Sequence, residues 1–284
     1  MSATRPLLVF VHINKTAGTT LRYILRSSYG SRHCDVEPWH GAWVDPPFST
    51  EDLRRVRKLY PRLASIAGHR ISGHVDLAEE GTDFRYLTFL REPIALCASR
   101  FQYQLDYRKK QDLVFEDWIE KAWARDAQTQ RIGGTTDPSD AIRVIERKSM
   151  FVGLTERFDE SIVLLRAQRA PDLNIAYAPV NVAKSSDIAK GLLADPRTRQ
   201  MIVEANAADL ELYEHVMREI YPAQQRAYGA SLSNTVATFR EGVQQRYDRR
   251  KLALYGLKQR AMLKPTLRLY RGRRTGGVVR ALIG

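Results

Sequence analysis

"LLVFVHINKTAGTTLRYILRSSYG", residues 7–30, decides how this chain is read. Apart from His12 its first seven residues are apolar, the continuous run expected of a strand buried on both faces. The turn that follows carries Lys15, Ala17, Gly18 and three threonines, Thr16, Thr19 and Thr20. Leu21, Ile24 and Leu25 then recur at helical spacing. A strand, a small polar turn and a helix outline an anion cradle. Unpaired N–H groups at a helix N-terminus and the helix dipole both favour negative charge there, and Gly18 lets backbone approach closely. The residue order is not the ATP-binding one. G-x-x-x-x-G-K-[ST] places lysine late in the loop, whereas Lys15 precedes Gly18, and no second-strand aspartate follows to hold a metal. On this loop alone a phosphate site and a plain strand-to-helix turn both stand. Asn14-Lys15-Thr16 also spells a glycosylation sequon, but a turn wedged between strand and helix is a poor acceptor.

Working outward, residues 64–68 and 85–90 read as strands, and 140–148, 157–168 and roughly 197–221 as helices, with the apolar "MFVGLT" between the first two of these. Pro93 suits the first turn of a helix after the 85–90 strand. "RIGGTTDPSD", 131–140, reads as a loop by its Gly, Pro and Asp content. Strands alternating with helices imply an α/β fold, a parallel sheet covered on both faces.

The charge is uneven. Residues 233–284 hold thirteen Lys/Arg against two Asp/Glu, while the other 232 residues hold 32 against 30. A near-neutral body argues against a nucleic-acid partner, which calls for a basic face on the folded domain. The division expected is a body over 1–221, a linker over 222–232, and a basic helical extension over 233–284. That extension mixes Lys/Arg with Leu, Met and Tyr, which suits peripheral contact with an anionic membrane and equally a solvated tail. Two cysteines, Cys34 and Cys97, give no disulfide framework. No apolar run reaches the 18 residues of a membrane span, and the N-terminus lacks a signal pattern. The location expected is cytoplasmic, in a bacterial-type protein, with peripheral contact at the inner face of the membrane as a further option; a eukaryotic lumenal domain stripped of its anchor is the alternative that would also explain the missing signal.

A second strand–turn–helix is written in "YLTFLREPIALCASRF", 86–101: Arg91 ends the strand and Ser99 lies two helical turns on. Taken with "NKTAGTT", this pair resembles the two 3′-phosphoadenylyl sulfate (PAPS) motifs of sulfotransferases. The match is closest to the carbohydrate group that includes the heparan sulfate uronyl 2-O-sulfotransferases. "SGHVDL", 72–77, is similar to that group's Gly-His-Val segment, and "FVGLTERFDESIVLL" and "VNVAKSS" follow in the family's order. The resemblance spans roughly residues 7–221. It implies a P-loop-NTPase-like sheet flanked by helices, and PAPS as co-substrate with no metal. By position, Lys15, Thr16, Ala17, Gly18, Thr19 and Thr20 would hold the 5′-phosphosulfate, Arg91 and Ser99 the 3′-phosphate, and Lys184 and Ser185 a loop over the nucleotide. The acceptor it implies is a polysaccharide or glycolipid hydroxyl.

Sulfuryl transfer needs a base for the hydroxyl proton and a donor for the charge on the leaving oxygen. His74 is the expected base, because imidazole titrates near neutrality and the resemblance marks the same residue. Lys15 is the expected leaving-group donor. His69 is the local rival, and His12 reads as a packed histidine. Other functions are a P-loop kinase or NTPase, against which the lysine position speaks, and a non-catalytic membrane- or polyanion-binding protein. In the acceptor stretches Trp39 and Trp43 read equally as stacking on sugar rings or capping the core, and Arg108-Lys109-Lys110 as contacts to an acidic glycan or, as a charge run more usually is, a solvated face.

Overall fold

The architecture is built on five parallel strands in the order β2-β3-β1-β4-β5. The strands are β1 (Pro6–Val11), β2 (His33–Asp35), β3 (Ser65–Gly68), β4 (Asp83–Leu90) and β5 (Phe151–Leu154). The computed structural model describes residues 6–36, 47–108, 112–177, 187–242 and 247–268. β1 sits at the centre, pairing with β3 through Val9 and Ile66 and with β4 through Val9 and Tyr86. Leu7 to Val11 are at most 3% exposed, so both faces of β1 are covered, as its apolar run requires. Helices α1 (Gly18–Tyr29), α2 (Thr50–Leu59) and α3 (Pro93–Arg108) follow β1, β2 and β4. In a parallel sheet the turns after neighbouring strands share one edge. The Lys15 turn after β1 and the Arg91 turn after β4 are therefore adjacent by topology alone.

Several elements differ from the expected pattern. β2 has only three residues, too few for a periodicity signal, and β5 is the short apolar stretch between two helices. After α4 (Phe115–Ile119), α5 (Ala127–Gly133) enters the expected 131–140 loop. Its C-terminal Gly134 is left-handed (φ 84°), which stops the helix there, and Pro138 then opens α6 (Pro138–Arg147). The helix expected over 197–221 breaks at Asn206. α7 (Phe158–Gln168) and α8 (Asp187–Ala194) are followed by α9 (Pro196–Ala205) and α10 (Ala207–His215). The chain then runs through a π-helical turn, Val216–Ile220, into α11 (Tyr221–Tyr228). Most of the 222–232 segment expected as a linker is thus helical, and it is tied to the sheet. The Gln224 carboxamide meets Val152 N–H at 3.1 Å and its carbonyl at 2.8 Å, closing the free edge of β5.

The basic extension is also packed on the body. α12 (Leu232–Gly242) lies on α7 and buries Leu232 and Val236. α13 (Arg249–Lys258) begins at Asp248, whose carboxylate caps the N–H groups of Arg250 and Lys251 at 3.0 Å each. It lies along α1, with Asp248 N–H donating to Ser27 Oγ at 2.8 Å and Lys258 Nζ to the Ser31 carbonyl at 3.2 Å. Between them the Tyr255 hydroxyl donates to Asp35. That buried carboxylate also accepts Arg22 Nε and Arg26 Nε, each at 2.7 Å; burial raises its pKa, but His33 first, at 3.2 Å, and then the two arginines hold it well below the carboxylate range.

Candidate active site

The first turn is strained and open. Lys15 and Ala17 are both left-handed (φ 69° and 57°), a conformation that costs of order 1–3 kcal/mol for a residue with a Cβ. Thr16 is fully buried and donates its hydroxyl to the Ile13 carbonyl at 3.0 Å, so it braces the turn from within instead of facing a ligand. No side chain caps α1. Its first N–H groups, those of Gly18, Thr19 and Thr20, are the donors an anion would take. Gly18 is needed for packing as well. A Cβ there would fall on the His12 ring, which is stacked between Phe10 (5.1 Å) and His69 (4.0 Å). His12 is thus the packed histidine expected. His69 donates Nδ1–H to the His12 carbonyl at 3.1 Å, and burial pulls its pKa down to about 4.

The second turn is closed. The Glu92 carboxylate accepts the N–H groups of Ile94 (3.1 Å) and Ala95 (2.7 Å), so the start of α3 is capped from within. What this turn offers is the Arg91 side chain. Its Nη1 donates to the Lys15 carbonyl at 3.2 Å, which joins the two turns. Burial lowers the pKa of Lys15 first, and the nearby Arg91 charge lowers it further. Lys15 Nζ also stands 5.0 Å from the Tyr103 ring centre. Ser99 is half-buried, two turns along α3. Lys184, Ser185, Trp39 and Trp43 lie outside the described residues, as do Lys109 and Lys110 and the side chain of Arg108.

α5 organises the rest, and the sequence reading missed it. At its N-terminus the buried Gln128 carboxamide accepts Arg91 N–H and donates to the Arg91 carbonyl, both at 2.9 Å. Asp126 and Asp209 cap reciprocally. The Asp209 carboxylate takes the N–H groups of Gln128 and Thr129 at the start of α5, while Asp126 takes those of Ala208 and Asp209 at the start of α10. At the other end of α5 the Arg131 carbonyl accepts Gly73 N–H at 2.9 Å, and Arg131 Nη1 reaches Ser72 Oγ at 3.3 Å. Gly134 lies against the ring of His74; a Cβ on it would stand 2.8 Å from His74 Cγ. From the other side Lys148 Nζ donates to the Val75 carbonyl at 2.8 Å. His74 is half-buried with its Nδ1 enclosed and unpartnered. Burial first, then the charges of Arg131 and Lys148, push its pKa below the usual 6.5, so the ring is neutral at pH 7.

A cleft of about 260 Å³ runs from Ile13 and Asn14 to Arg100, Trp123, Gln130 and Arg131. Arg100 spans to the carbonyls of Trp123 (2.7 Å) and Ala124 (2.9 Å). Among the described residues none of Lys15, Arg91, Arg100 and Arg131 is within ion-pair distance of a carboxylate. Arg91 acts on Lys15 and Arg100 on Arg131 as like charges, while the acids that act on them, Asp106, Glu156, Glu92 and Asp209, stand beyond ion-pair distance, an arrangement that suits an anionic ligand. Arg100 lies inside the 86–101 stretch, beside Ser99, without having been singled out there, and Arg131 opens the segment that reads as a loop.

The family model described as galactose-3-O-sulfotransferase matches residues 124–275, more than half of the chain. The protein belongs to the galactose-3-O-sulfotransferase family. It is 28% identical to mouse galactose-3-O-sulfotransferase 3 over 273 residues, which cover 84% of this chain and 61% of the relative. The bovine protein of that name is 29% identical over 243 residues, 73% of this chain and 55% of the relative. The human one is 28% identical over 270 residues, 84% of this chain and 61% of the relative. The chain therefore spans about 55–61% of the length of these relatives. The matched family segment begins just before α5 and spans α12 and α13; Lys15, His74 and Arg91 precede it. A carbohydrate sulfotransferase family is what the motif resemblance implied. The cytoplasmic location does not stand: the mammalian relatives are Golgi-resident type II membrane sulfotransferases. Among the described residues no helix is long and apolar enough to cross a membrane.

Proposed function

We propose that the chain transfers a sulfuryl group from PAPS to a carbohydrate hydroxyl, with His74 as base and Lys15 as leaving-group donor. The observation that carries this reading is the Arg91 Nη1 contact with the Lys15 carbonyl at 3.2 Å. It sets an open helix N-terminus and unpaired cations side by side at the ends of neighbouring strands. Lys15 and the α1 N–H groups of Gly18, Thr19 and Thr20 would hold the 5′-phosphosulfate, with Thr16 and Ala17 shaping the turn that presents them. Arg91 and Ser99 would hold the 3′-phosphate, and Lys184 and Ser185 would close over the nucleotide. The likeness of these turns to the uronyl 2-O-sulfotransferases reflects, in this reading, a donor site of the same kind. The relatives' names make a galactose 3-hydroxyl, on a free glycan or glycolipid, the first acceptor to test. Catalysis belongs to residues 1–221, with α12 and α13 of the 233–284 extension as a support packed against them.

The acceptor oxygen attacks sulfur in line, forming a new S–O bond as the S–O bond to the 5′-phosphate breaks. The electron pair leaves on that phosphate oxygen. The hydroxyl proton passes to neutral His74, and Lys15 donates a hydrogen bond to the departing oxygen. Thermal shift tests the donor site. Adenosine 3′,5′-bisphosphate at 100-fold its Kd adds about 2.7 kcal/mol of apparent stability. Wild type is expected to shift with it and not with AMP, and Arg91→Ala to lose the shift. A shift only with ATP and Mg²⁺ would point to a kinase or NTPase instead.

A further inference from the structure

At the opposite end of the sheet, where the strands begin, lies a cavity of about 450 Å³ floored by Pro6, Leu8 and Leu63. Four arginines line it, Arg32, Arg62, Arg85 and Arg169. It shares Tyr29, Arg32 and Arg62 with a second cleft of about 320 Å³, to which α13 adds Lys251 and Lys258. The two form a continuous trough with six cationic side chains. Its one carboxylate, Asp172, is engaged by the Tyr29 hydroxyl at 3.0 Å.

Two of the arginines are held beside each other by the fold. Arg85 Nη1 donates to the Arg169 carbonyl at 2.9 Å. Arg169 Nη2 is anchored to the Ser149 carbonyl at 2.6 Å, and its Nε is buried with no partner. Burial, then the Arg85 charge, push the Arg169 guanidinium below its usual range. Arg32 and Arg62 stand exposed on the rim. Asp83 pairs with Arg85 Nε at 2.8 Å, but among the described residues Arg169 has no carboxylate within ion-pair distance, so the two guanidiniums keep a net positive charge that an oxyanion relieves. Guanidinium forks match the paired oxygens of a sulfate ester. The trough is elongated and has an apolar floor, which fits a chain of sugar rings better than a bare ion. β1 separates it from the Lys15 turn by six residues, roughly 20 Å at about 3.3 Å each.

We propose that this trough binds a sulfated glycan through its sulfate esters, at a site separate from the donor turns. The choice of a glycan rests on the function proposed above. The test is calorimetry on the full chain at fixed ionic strength, with a sulfated galactose oligosaccharide, its unsulfated parent, and vesicles of anionic phospholipid. The sulfated chain is expected to bind at least tenfold more tightly than its parent. Arg32→Ala combined with Arg62→Ala is expected to weaken it at least tenfold, leaving the adenosine 3′,5′-bisphosphate shift unchanged. Arg32→Lys with Arg62→Lys is expected to weaken it similarly, because an ammonium keeps the charge and loses the fork. Arg91→Ala is expected to bind the oligosaccharide like wild type. Wild-type affinity in the Lys variant would reduce the trough to a charge field and overturn the proposal. So would loss of binding in Arg91→Ala, or vesicle binding through these arginines without oligosaccharide binding. A protein that binds the oligosaccharide but shows no nucleotide shift retires the donor reading and leaves the trough in place.

Discussion

At Gly18 one missing methyl group serves two purposes: it admits the His12 ring on the inner side and leaves N–H groups bare on the outer one. Gly18→Ala must displace a ring stacked on both faces. Overpacking of this kind destabilises by about 1–3 kcal/mol. We expect a lower urea midpoint together with a lost nucleotide shift, whereas an unperturbed midpoint would mean the stack is looser than described. His74→Ala is expected to keep the nucleotide shift and lose roughly 10²–10⁴ in turnover. With the imidazole pKa pulled down, the acid limb of kcat/KM should have its midpoint below 6.5, and Arg131→Ala should move it upward by removing a nearby positive charge. An acid limb unmoved in Arg131→Ala would assign it to another group. Lys15 and Arg91 were legible in sequence because the chemistry of each sits in a contiguous turn. Thr16 was legible only as a hydroxyl; which way it points is set by the left-handed residues on either side of it.

α5 shows what a sequence hides at the level of elements. Its seven residues include Gly133 and run up against Gly134, a composition that reads as loop. Its helicity is supplied from 80 residues away, by Asp209 capping its first N–H groups. In return it holds Arg91 at one end and His74 at the other, and so sets the spacing between the proposed donor and base sites. The two ends should separate kinetically. Gly134→Ala puts a Cβ against the His74 ring at a left-handed position, so kcat should fall at least tenfold with nucleotide affinity kept. Gln128→Ala removes both bonds to the Arg91 backbone, so nucleotide affinity should fall about five- to tenfold. Equal losses of both quantities in both variants would mean that α5 supports the fold without setting the spacing. The central strands were readable from their apolar runs. β2 was not, because three residues carry no period and its place is fixed by pairing with β3.

Across the whole molecule, burial keeps several histidines neutral. His12, His33 and His69 all have pKa values below the ordinary 6.5, with desolvation the leading cause in each. Below pH 6.5 the unfolded chain takes up protons that the folded one refuses, so stability falls as the pH drops from 7 towards 4. For His69, at about 4, the loss at pH 5 is roughly 2 kcal/mol. Denaturation midpoints at pH 7 and 5 should therefore differ, and His69→Gln should narrow the gap; an unchanged gap would put the acid sensitivity elsewhere. The basic extension was legible as charge but not as packing. Its lysines and arginines dominate the composition, while the contacts that fix it to the body, among them Val236, Asp248, Tyr255, Lys258, Leu263 and Leu267, are spread along it with no local pattern.

That fixing has a temporal side. Asp35 meets Arg22 and Arg26 from 13 and 9 residues earlier in the chain, but its hydroxyl donor comes 220 positions later. At roughly 5–20 residues per second the ribosome delivers Tyr255 some ten to forty seconds after Asp35. During that interval α1, which carries the Lys15 turn, has no α13 against its flank, so the nucleotide grip proposed for that turn would mature only once α13 has been made.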